Sequence, residues 1–194
     1  LVYLKENMYP IVTEKINEYL ESHRKDLDGI YISGGEPLMH EGVVSFLQYA
    51  KTLNYKIKIH TNGMFYERLK TILAQKLVDH VSLDIKNAPS AYAKTCGVED
   101  MDLKDIEKSL DLLKQSVVPY DICVTLVDEL HNQATIEELG EWIQGVDTVI
   151  LQPFEDRETT IDHSLHRPSF KVVLKYKKIF EKYVKHVKIR GDQA

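Results

Sequence analysis

The sequence predicts an α/β protein in which parallel strands are each followed by a helix. Stretches with an apolar residue at every second position alternate along the chain with stretches whose apolar residues recur every three or four positions. Strands that each feed a helix lie parallel with right-handed crossovers, so the sheet is either open and doubly wound or a partial barrel. The 194 residues contain no linker rich in proline, glycine and serine. We therefore expect residues 1–194 to form a single domain.

The predicted elements follow in a regular order. A first helix begins after Pro10, a favourable first helical residue, and Asp28-Gly29 breaks the chain before the first strand. Apolar alternation predicts strands at residues 29–33, 56–60, 80–86, 120–127 and 148–152, with a short terminal strand at 187–189. Apolar side chains at helical spacing mark five helices: Val12, Ile16, Tyr19 and Leu20; Val43, Phe46, Leu47 and Ala50; Leu69, Ile72 and Leu73; Leu103, Ile106, Leu110 and Leu113; and Val173, Tyr176 and Phe180.

Capping and turn residues refine these boundaries. Pro89 and Gly97 indicate a loop after the third strand, and Asp102 is the expected N-cap of the helix that follows it. The run Thr135-Ile136-Glu137-Glu138 matches a capping box, which predicts a sixth helix that ends at about Gln144.

The alternation within the strands indicates which face of the sheet is polar. One face is apolar and expected to lie under the helices: Ile30, Ile32, Ile57, Ile59, Leu83, Ile85, Ile122, Val124, Val149 and Leu151. The opposite face is mostly polar: Tyr31, Ser33, Lys58, His60, Asp84, Lys86, Cys123, Thr125 and Gln152. A sheet covered by helices on both faces would show continuous apolar runs. We predict an incompletely closed barrel with a polar interior; an open sheet with one solvated face is the alternative, ranked lower because parallel sheets are usually covered.

Composition and charge exclude several classes of protein. With 43% hydrophobic and 28% charged residues the chain is globular, and its net charge of -5 does not favour nucleic acid. No apolar run approaches the roughly 18 residues needed to cross a membrane. Cys96 and Cys123 are the only cysteines, which excludes a disulfide scaffold and any site made of three or four thiolates within these residues. A reducing, cytoplasmic location fits best.

Four polar groups lie at the carboxyl ends of four of the predicted strands, where βα proteins place their sites. Ser33-Gly34-Gly35-Glu36-Pro37 offers two glycines that let a ligand contact the backbone, although the same residues could form a simple flexible turn. Thr61-Asn62-Gly63 offers a hydroxyl and an amide, or merely a turn. Asp84 and Lys86 share the inner face, as a ligand site or as a structural ion pair. Gln152 could orient a polar ligand or be a hydrogen-bonded core residue.

Other candidates are less informative. No Gly-x-Gly-x-x-Gly pattern and no P-loop is present, so no motif supports phosphate binding. His131, His163 and His166 lie in polar stretches without ligand spacing and are expected at the surface. Cys123 is expected to be a small interior residue rather than a nucleophile.

Taken together and in this order, the four groups resemble the radical S-adenosylmethionine (SAM) enzymes. Tyr31 to Pro37, Val81 to Lys86 and Val149 to Gln152 are similar to three strands of the activating enzymes of glycyl-radical enzymes. Within that group, the anaerobic ribonucleoside-triphosphate reductase activating proteins and the pyruvate formate-lyase activating enzymes are the best match. The resemblance spans residues 29–154 and implies a partial (β/α)6 barrel.

The resemblance also implies roles for individual residues. Gly34, Gly35 and Glu36 would hold the methionyl ammonium of SAM, because carbonyl and carboxylate oxygens suit a cation. Thr61 and Asn62 would face the cofactor.

Two further residues would complete the cofactor site. Lys86 would meet the SAM carboxylate, and Asp84 would take a ribose hydroxyl, a nearby cation or Lys86 itself. In the family, one electron from a 4Fe–4S cluster cleaves SAM to methionine and a 5′-deoxyadenosyl radical, which takes a hydrogen atom from a glycine of the partner.

The chain departs from the family pattern at three points. His60 stands where pyruvate formate-lyase-type activases often carry aspartate, and Cys123 stands where they tend to carry arginine. The CxxxCxxC loop, whose thiolates hold the cluster, is absent. Because residue 1 is Leu1 rather than methionine, we expect the first strand and this loop upstream of it, the alternative being a relative without a cluster.

The resulting hypothesis is an anaerobic oxidoreductase that generates a glycyl radical on a large partner enzyme, for which we expect anaerobic ribonucleoside-triphosphate reductase. The expected electron donor is a small redox protein such as flavodoxin or ferredoxin, and neither nucleic acid nor a membrane is an expected partner. Two rival hypotheses are a barrel lyase or aldolase that uses Lys86 as a Schiff-base nucleophile beside Asp84, and a cluster-less protein that only binds a partner or nucleotide.

Overall fold

The computed structural model describes residues 12–158 and 160–191 and shows an α/β fold. The strands of the described residues are β1 (Gly29–Ile32), β2 (Lys56–Thr61), β3 (His80–Asp84), β4 (Tyr120–Leu126), β5 (Thr148–Pro153) and β6 (His186–Ile189). The helices are α1 (Thr13–Ser22), α2 (Val43–Thr52), α3 (Tyr66–Ala74), α4 (Pro89–Cys96), α5 (Lys104–Lys114), α6 (Gln133–Trp142) and α7 (Phe170–Phe180). A short 3₁₀ turn, Pro37–Met39, precedes α2.

The six strands form one parallel sheet in sequence order, β1-β2-β3-β4-β5-β6. The register aligns Ile32 with Ile59, His60 with Ser82, and Asp84 with Cys123. Among the described residues β1 and β6 do not pair with each other, so the sheet is not closed. This arrangement confirms the predicted partial (β/α)6 barrel and brings the carboxyl ends of all the strands to one rim.

The core lies where the alternation predicted it, between the sheet and its helices. The helix-facing residues of the four central strands, together with Ile85 directly after β3, are almost fully buried: Ile57, Ile59, Leu83, Ile85, Ile122, Val124, Val149 and Leu151. Ile30 and Ile32 on β1 are only half-buried. Val173, Tyr176 and Phe180 of α7 are buried as predicted. Burying one such aliphatic side chain contributes roughly 1.5–3 kcal/mol, so this layer holds the rim in place.

Several predicted boundaries were wrong. The segment expected as a loop around Pro89 contains α4, whose first residue is that proline and whose left-handed C-cap is Gly97. The third strand ends at Asp84 rather than at residue 86, because the chain leaves the ladder to enter α4. The capping box of α6 uses Asn132 and Thr135 instead of Thr135 and Glu138.

Two helix predictions also need correction. Leu103, not Asp102, is the N-cap of α5, although Asp102 Oδ1 still accepts the N–H of Lys104 at 3.0 Å. The apolar stripe of α1 buries only Leu20, whereas Val12 and Tyr19 are more than half exposed. Pro10 lies outside the described residues. In the described part of the chain, no helix has the length and apolar character of a membrane span.

Candidate functional site

Glu36 joins the ends of β1 and β2 through its carboxylate. Its Oε1 accepts the N–H of Leu38 at 2.9 Å and the hydroxyl of Thr61 at 2.8 Å. Its Oε2 accepts the N–H of Asn62 at 2.7 Å. We call Glu36, Leu38, Thr61 and Asn62 the Glu36 clamp. Thr61 is 1% exposed, so its hydroxyl serves the clamp, while Oε2 keeps a lone pair for a second donor.

The backbone of Gly34 and Gly35 is open to a ligand. Gly34 has φ +126°, a conformation that residues with a side chain rarely adopt, and apart from the adjoining residues of the chain no atom lies within 4 Å of a Cβ built on either glycine. The glycines precede Glu36 directly, so exposed backbone groups and a carboxylate share the end of β1. Carbonyl and carboxylate oxygens in this arrangement suit a cation, which is the kind of ligand that the family resemblance implies here.

Gly63 closes the Thr61-Asn62-Gly63 turn against the core. Its φ is +79°, its carbonyl accepts the Ser109 hydroxyl at 2.7 Å, and an added Cβ would lie 2.8 Å from Leu83 Cδ1. We expect Gly63→Ala to lower the free energy of unfolding by about 2 kcal/mol, through backbone strain and overpacking. Denaturant unfolding measures the change.

Gly97→Ala is the matched control for this prediction. Gly97 has φ +72° but open space around its Cβ position, so this variant reports backbone strain without the steric contact. Equal losses of stability in the two variants would contradict the overpacking contribution at Gly63.

Asp84 and Lys86 form an ion pair at the end of β3, as the sequence indicated. The Asp84 side chain is 15% exposed and the Lys86 side chain 42%. Nε2 of His60 lies 3.8 Å from Asp84 Oδ2, and Nδ1 of His60 contacts the Tyr31 hydroxyl at 3.0 Å. Burial alone would raise the pKa of Asp84, but His60 and Lys86 outweigh it and hold that pKa below its usual range. Asp84 is therefore an anion flanked by two basic groups.

Gln152 lies at the far side of the rim and is bound to a residue that the sequence analysis missed. Its Oε1 accepts a hydrogen bond from Arg190 Nη1 at 2.6 Å. The alternation of His186, Lys188 and Arg190 along the last strand places these side chains on one face, and this signal could have identified Arg190. Gln152 and Arg190 are not bonded to the clamp or to the Asp84–Lys86 pair.

A second polar network lies deeper on the same face. Asp121 on β4 is 4% exposed and accepts from His80 at 2.7 Å, from Ser82 at 2.5 Å and from Lys58 at 3.0 Å. Burial acts to raise the pKa of Asp121, but these three partners lower it to about 2. We call these four residues the Asp121 network. Its charged groups are paired with one another, so they do not occupy the groups on the rim, which stay free for a ligand.

The histidine and cysteine predictions were partly confirmed. His163 and His166 are exposed and pair with Asp156 and Glu129. His131 was wrongly expected at the surface: it is 4% exposed. Cys123 is buried, which raises the pKa of its thiol to about 11 and fits an unreactive interior residue.

A cavity of about 760 Å³ opens beside Gly35, between α1, α2 and the end of β1. Its lining includes Gly35 and Glu36 of the rim and the helix-facing Ile32, but neither Asp84 nor Lys86. The candidate site is therefore the polar rim formed by the ends of β1, β2 and β3 rather than this cavity.

Comparisons with known proteins agree with the fold. The sequence model of the Radical SAM superfamily matches residues 3–143. A protein of Methanocaldococcus jannaschii, provisionally named a glycyl-radical enzyme activating enzyme, is 30% identical over 169 residues, which are 84% of this chain and 70% of that protein.

Solved structures show the same fold. A domain of pyruvate formate-lyase-activating enzyme from Bacteroides vulgatus superimposes with a TM-score of 0.65 at 19% identity, covering 84% of this chain and 99% of that one. SuiB of Streptococcus suis, solved with bound S-adenosylmethionine, superimposes with a TM-score of 0.74 at 13% identity over 97% of this chain and 46% of its own. The family match covers most of the sequence, and the chain belongs to the radical SAM superfamily.

Proposed function

We propose that this chain is the SAM-binding part of an activating enzyme that generates a glycyl radical on a large partner enzyme. The observation that carries the proposal is the rim itself, where Gly34 and Gly35, the Glu36 clamp and the Asp84–Lys86 pair occupy three adjacent strand ends. The M. jannaschii relative supports the choice of reaction through its name.

The groups on the rim fit SAM in charge and in polarity. The methionyl part of SAM carries an ammonium and a carboxylate. The open backbone at Gly34 and Gly35 and the spare lone pair of Glu36 suit the ammonium, and the Lys86 ammonium suits the carboxylate. Asp84 holds Lys86 in place, and Asn62 lies between these groups at the end of β2.

When bound and reduced by one electron, SAM supplies the species that takes a hydrogen atom from the target glycine. The protein orients SAM and restricts the access of water to it. Asp84, kept anionic by His60 and Lys86, fixes the position of the lysine, and the Glu36 clamp fixes the turn that follows β2. No proton transfer by a general base is required of these residues.

The residues of this chain do not fit a 4Fe–4S cluster. Three thiolates are needed, whereas the sequence has only Cys96 and Cys123, the second of which is buried on β4. Among the described residues no group of three histidine, cysteine or acidic side chains could hold a metal ion. We propose that the cluster ligands lie outside these 194 residues.

For the partner we propose anaerobic ribonucleoside-triphosphate reductase, with flavodoxin or ferredoxin as the electron donor. The strand segments Tyr31 to Pro37 and Val81 to Lys86, which resemble the activating enzymes of glycyl-radical enzymes as a group, support a glycyl-radical enzyme as the partner. The full-length protein, reconstituted anaerobically with iron and sulfide, should cleave SAM under reduction and form a glycyl radical on the reductase. Absence of 5′-deoxyadenosine would overturn the enzymatic proposal. Borohydride trapping of a carbonyl substrate on Lys86 would favour a Schiff-base enzyme instead.

Binding of SAM tests the site residues directly. We expect Lys86→Ala and Gly35→Val each to weaken SAM binding about tenfold in calorimetry, because one removes a charge and the other fills the open side of the backbone. Lys104→Ala and Gly42→Val are matched controls, since Lys104 pairs only with the exposed Asp102 and Gly42 also has open space around it. Unchanged affinity in the first two variants would show that the assigned site is wrong.

A further inference from the structure

The peptide of Lys86 is held by side chains from outside its own strand. The last ladder bond at this end runs from the Ile85 N–H to the Cys123 carbonyl at 3.0 Å. Beyond it, the Lys86 N–H donates to the Tyr92 hydroxyl at 3.3 Å, and the Lys86 carbonyl lies 3.0 Å from His131 Nε2. Both backbone groups of a proposed cofactor-binding residue are thus satisfied by buried side chains.

The contacts of His131 define its tautomer. Nε2 faces the carbonyl of Lys86, which can only accept, whereas Nδ1 lies 3.1 Å from both the N–H and the carbonyl of Val127. Nε2 must therefore carry the hydrogen, and a neutral imidazole satisfies one donor and one acceptor. Burial lowers the pKa of His131, which favours this neutral form.

A second bond ties the same two segments together. Asn87, which is fully buried, donates from Nδ2 to the Leu130 carbonyl at 2.7 Å. From the other side, the Tyr176 hydroxyl of α7 donates to the carbonyl of His131 at 3.0 Å. Two hydrogen bonds therefore connect residues 86–87 to residues 130–131, and a third, from Tyr176 of α7, holds His131.

We propose that His131 is a positioning residue, which fixes the Lys86 peptide at the end of β3 and thereby directs the Lys86 ammonium toward the carboxylate of SAM. The inference rests on the proposed function for the identity of the ligand. The alternative is that His131 only fills the core, in which case any side chain that keeps the fold would keep the affinity for SAM.

Two isosteric variants separate these roles. The amide nitrogen of His131→Gln can take the place of Nε2 and still donate to the Lys86 carbonyl, whereas the shorter His131→Asn can replace only Nδ1 and its contact with Val127. We expect His131→Asn to weaken SAM binding about tenfold and His131→Gln to stay within about twofold of the wild type. Val173→Ala, which truncates a buried side chain of α7, controls for loss of stability.

Calorimetry with SAM and NMR of the Lys86 side chain form the two arms of the test. The Lys86 Cε resonance should shift in His131→Asn and remain near its wild-type position in His131→Gln and Val173→Ala. Equal affinities and equal resonances in the two His131 variants would overturn the inference. If the wild type itself does not bind SAM, the proposed function fails, and the NMR arm alone decides whether His131 positions Lys86.

Discussion

Glu36→Gln should lower the free energy of unfolding by about 3 kcal/mol, although it changes a single oxygen to an amide nitrogen. The Glu36 carboxylate accepts from the N–H of Leu38, the hydroxyl of Thr61 and the N–H of Asn62. A glutamine amide offers one oxygen, so its NH₂ group must face at least one backbone N–H. Hydrogen bonds to a charged acceptor contribute roughly 1.5–3 kcal/mol each, and an opposed pair of donors adds a further cost.

Chemical denaturation measures this loss, and amide hydrogen exchange locates it. Exchange should accelerate at Leu38 and Asn62 before it does so in the central strands. Glu41→Gln makes the same chemical change at an exposed residue of the same connection and should alter the unfolding free energy by less than about 0.5 kcal/mol. Equal stabilities of the two variants would mean that Glu36 does not join the two strand ends.

The fold class could be predicted from the sequence because the patterns that indicate it are local. Alternation along each strand identified the helix-facing set correctly, and the strand order follows from short right-handed crossovers. The helix α4 was missed because it buries only Tyr92 and so has almost no apolar periodicity. A proline that begins a helix and a glycine that ends it were interpreted as a loop.

The site was predictable in its composition but not in its contacts. Gly34, Gly35, Glu36, Asn62, Asp84 and Lys86 do lie on one rim, since parallel strands bring their carboxyl ends together. No local feature of the sequence indicates that Glu36 accepts a hydrogen bond from Thr61, which is 25 residues away. Asp121 shares the alternation of Cys123 and was overlooked because its partners lie on two other strands.

Asp121→Asn is expected to cost about 3 kcal/mol at neutral pH, because it removes the anion of the Asp121 network. Lys58, His80 and Ser82 all donate to this one carboxylate, which is almost fully buried. Leaving a buried cation without its partner costs about 3–5 kcal/mol, and the partial exposure of Lys58 reduces that figure here.

Asp105→Asn is the matched control. It makes the same substitution in the exposed pair of Asp105 with Lys108 on α5, where both side chains are more than half exposed. Exposed pairs three residues apart on a helix contribute only about 0.3–0.5 kcal/mol. If the two variants lose a comparable free energy of unfolding, the effect of Asp121→Asn comes from the general loss of a negative charge and not from the Asp121 network.

The same carboxylate predicts how stability depends on pH. The pKa of Asp121 is about 2 in the folded protein and 3.8 in an unperturbed aspartate, so the folded state binds its proton less tightly. Its contribution of about 2 kcal/mol is therefore complete above about pH 4 and is lost as the pH falls through the folded pKa. The difference in unfolding free energy between wild type and Asp121→Asn should shrink over this acidic range. A difference that stays constant would show that Asp121 is not held as an anion by Lys58, His80 and Ser82.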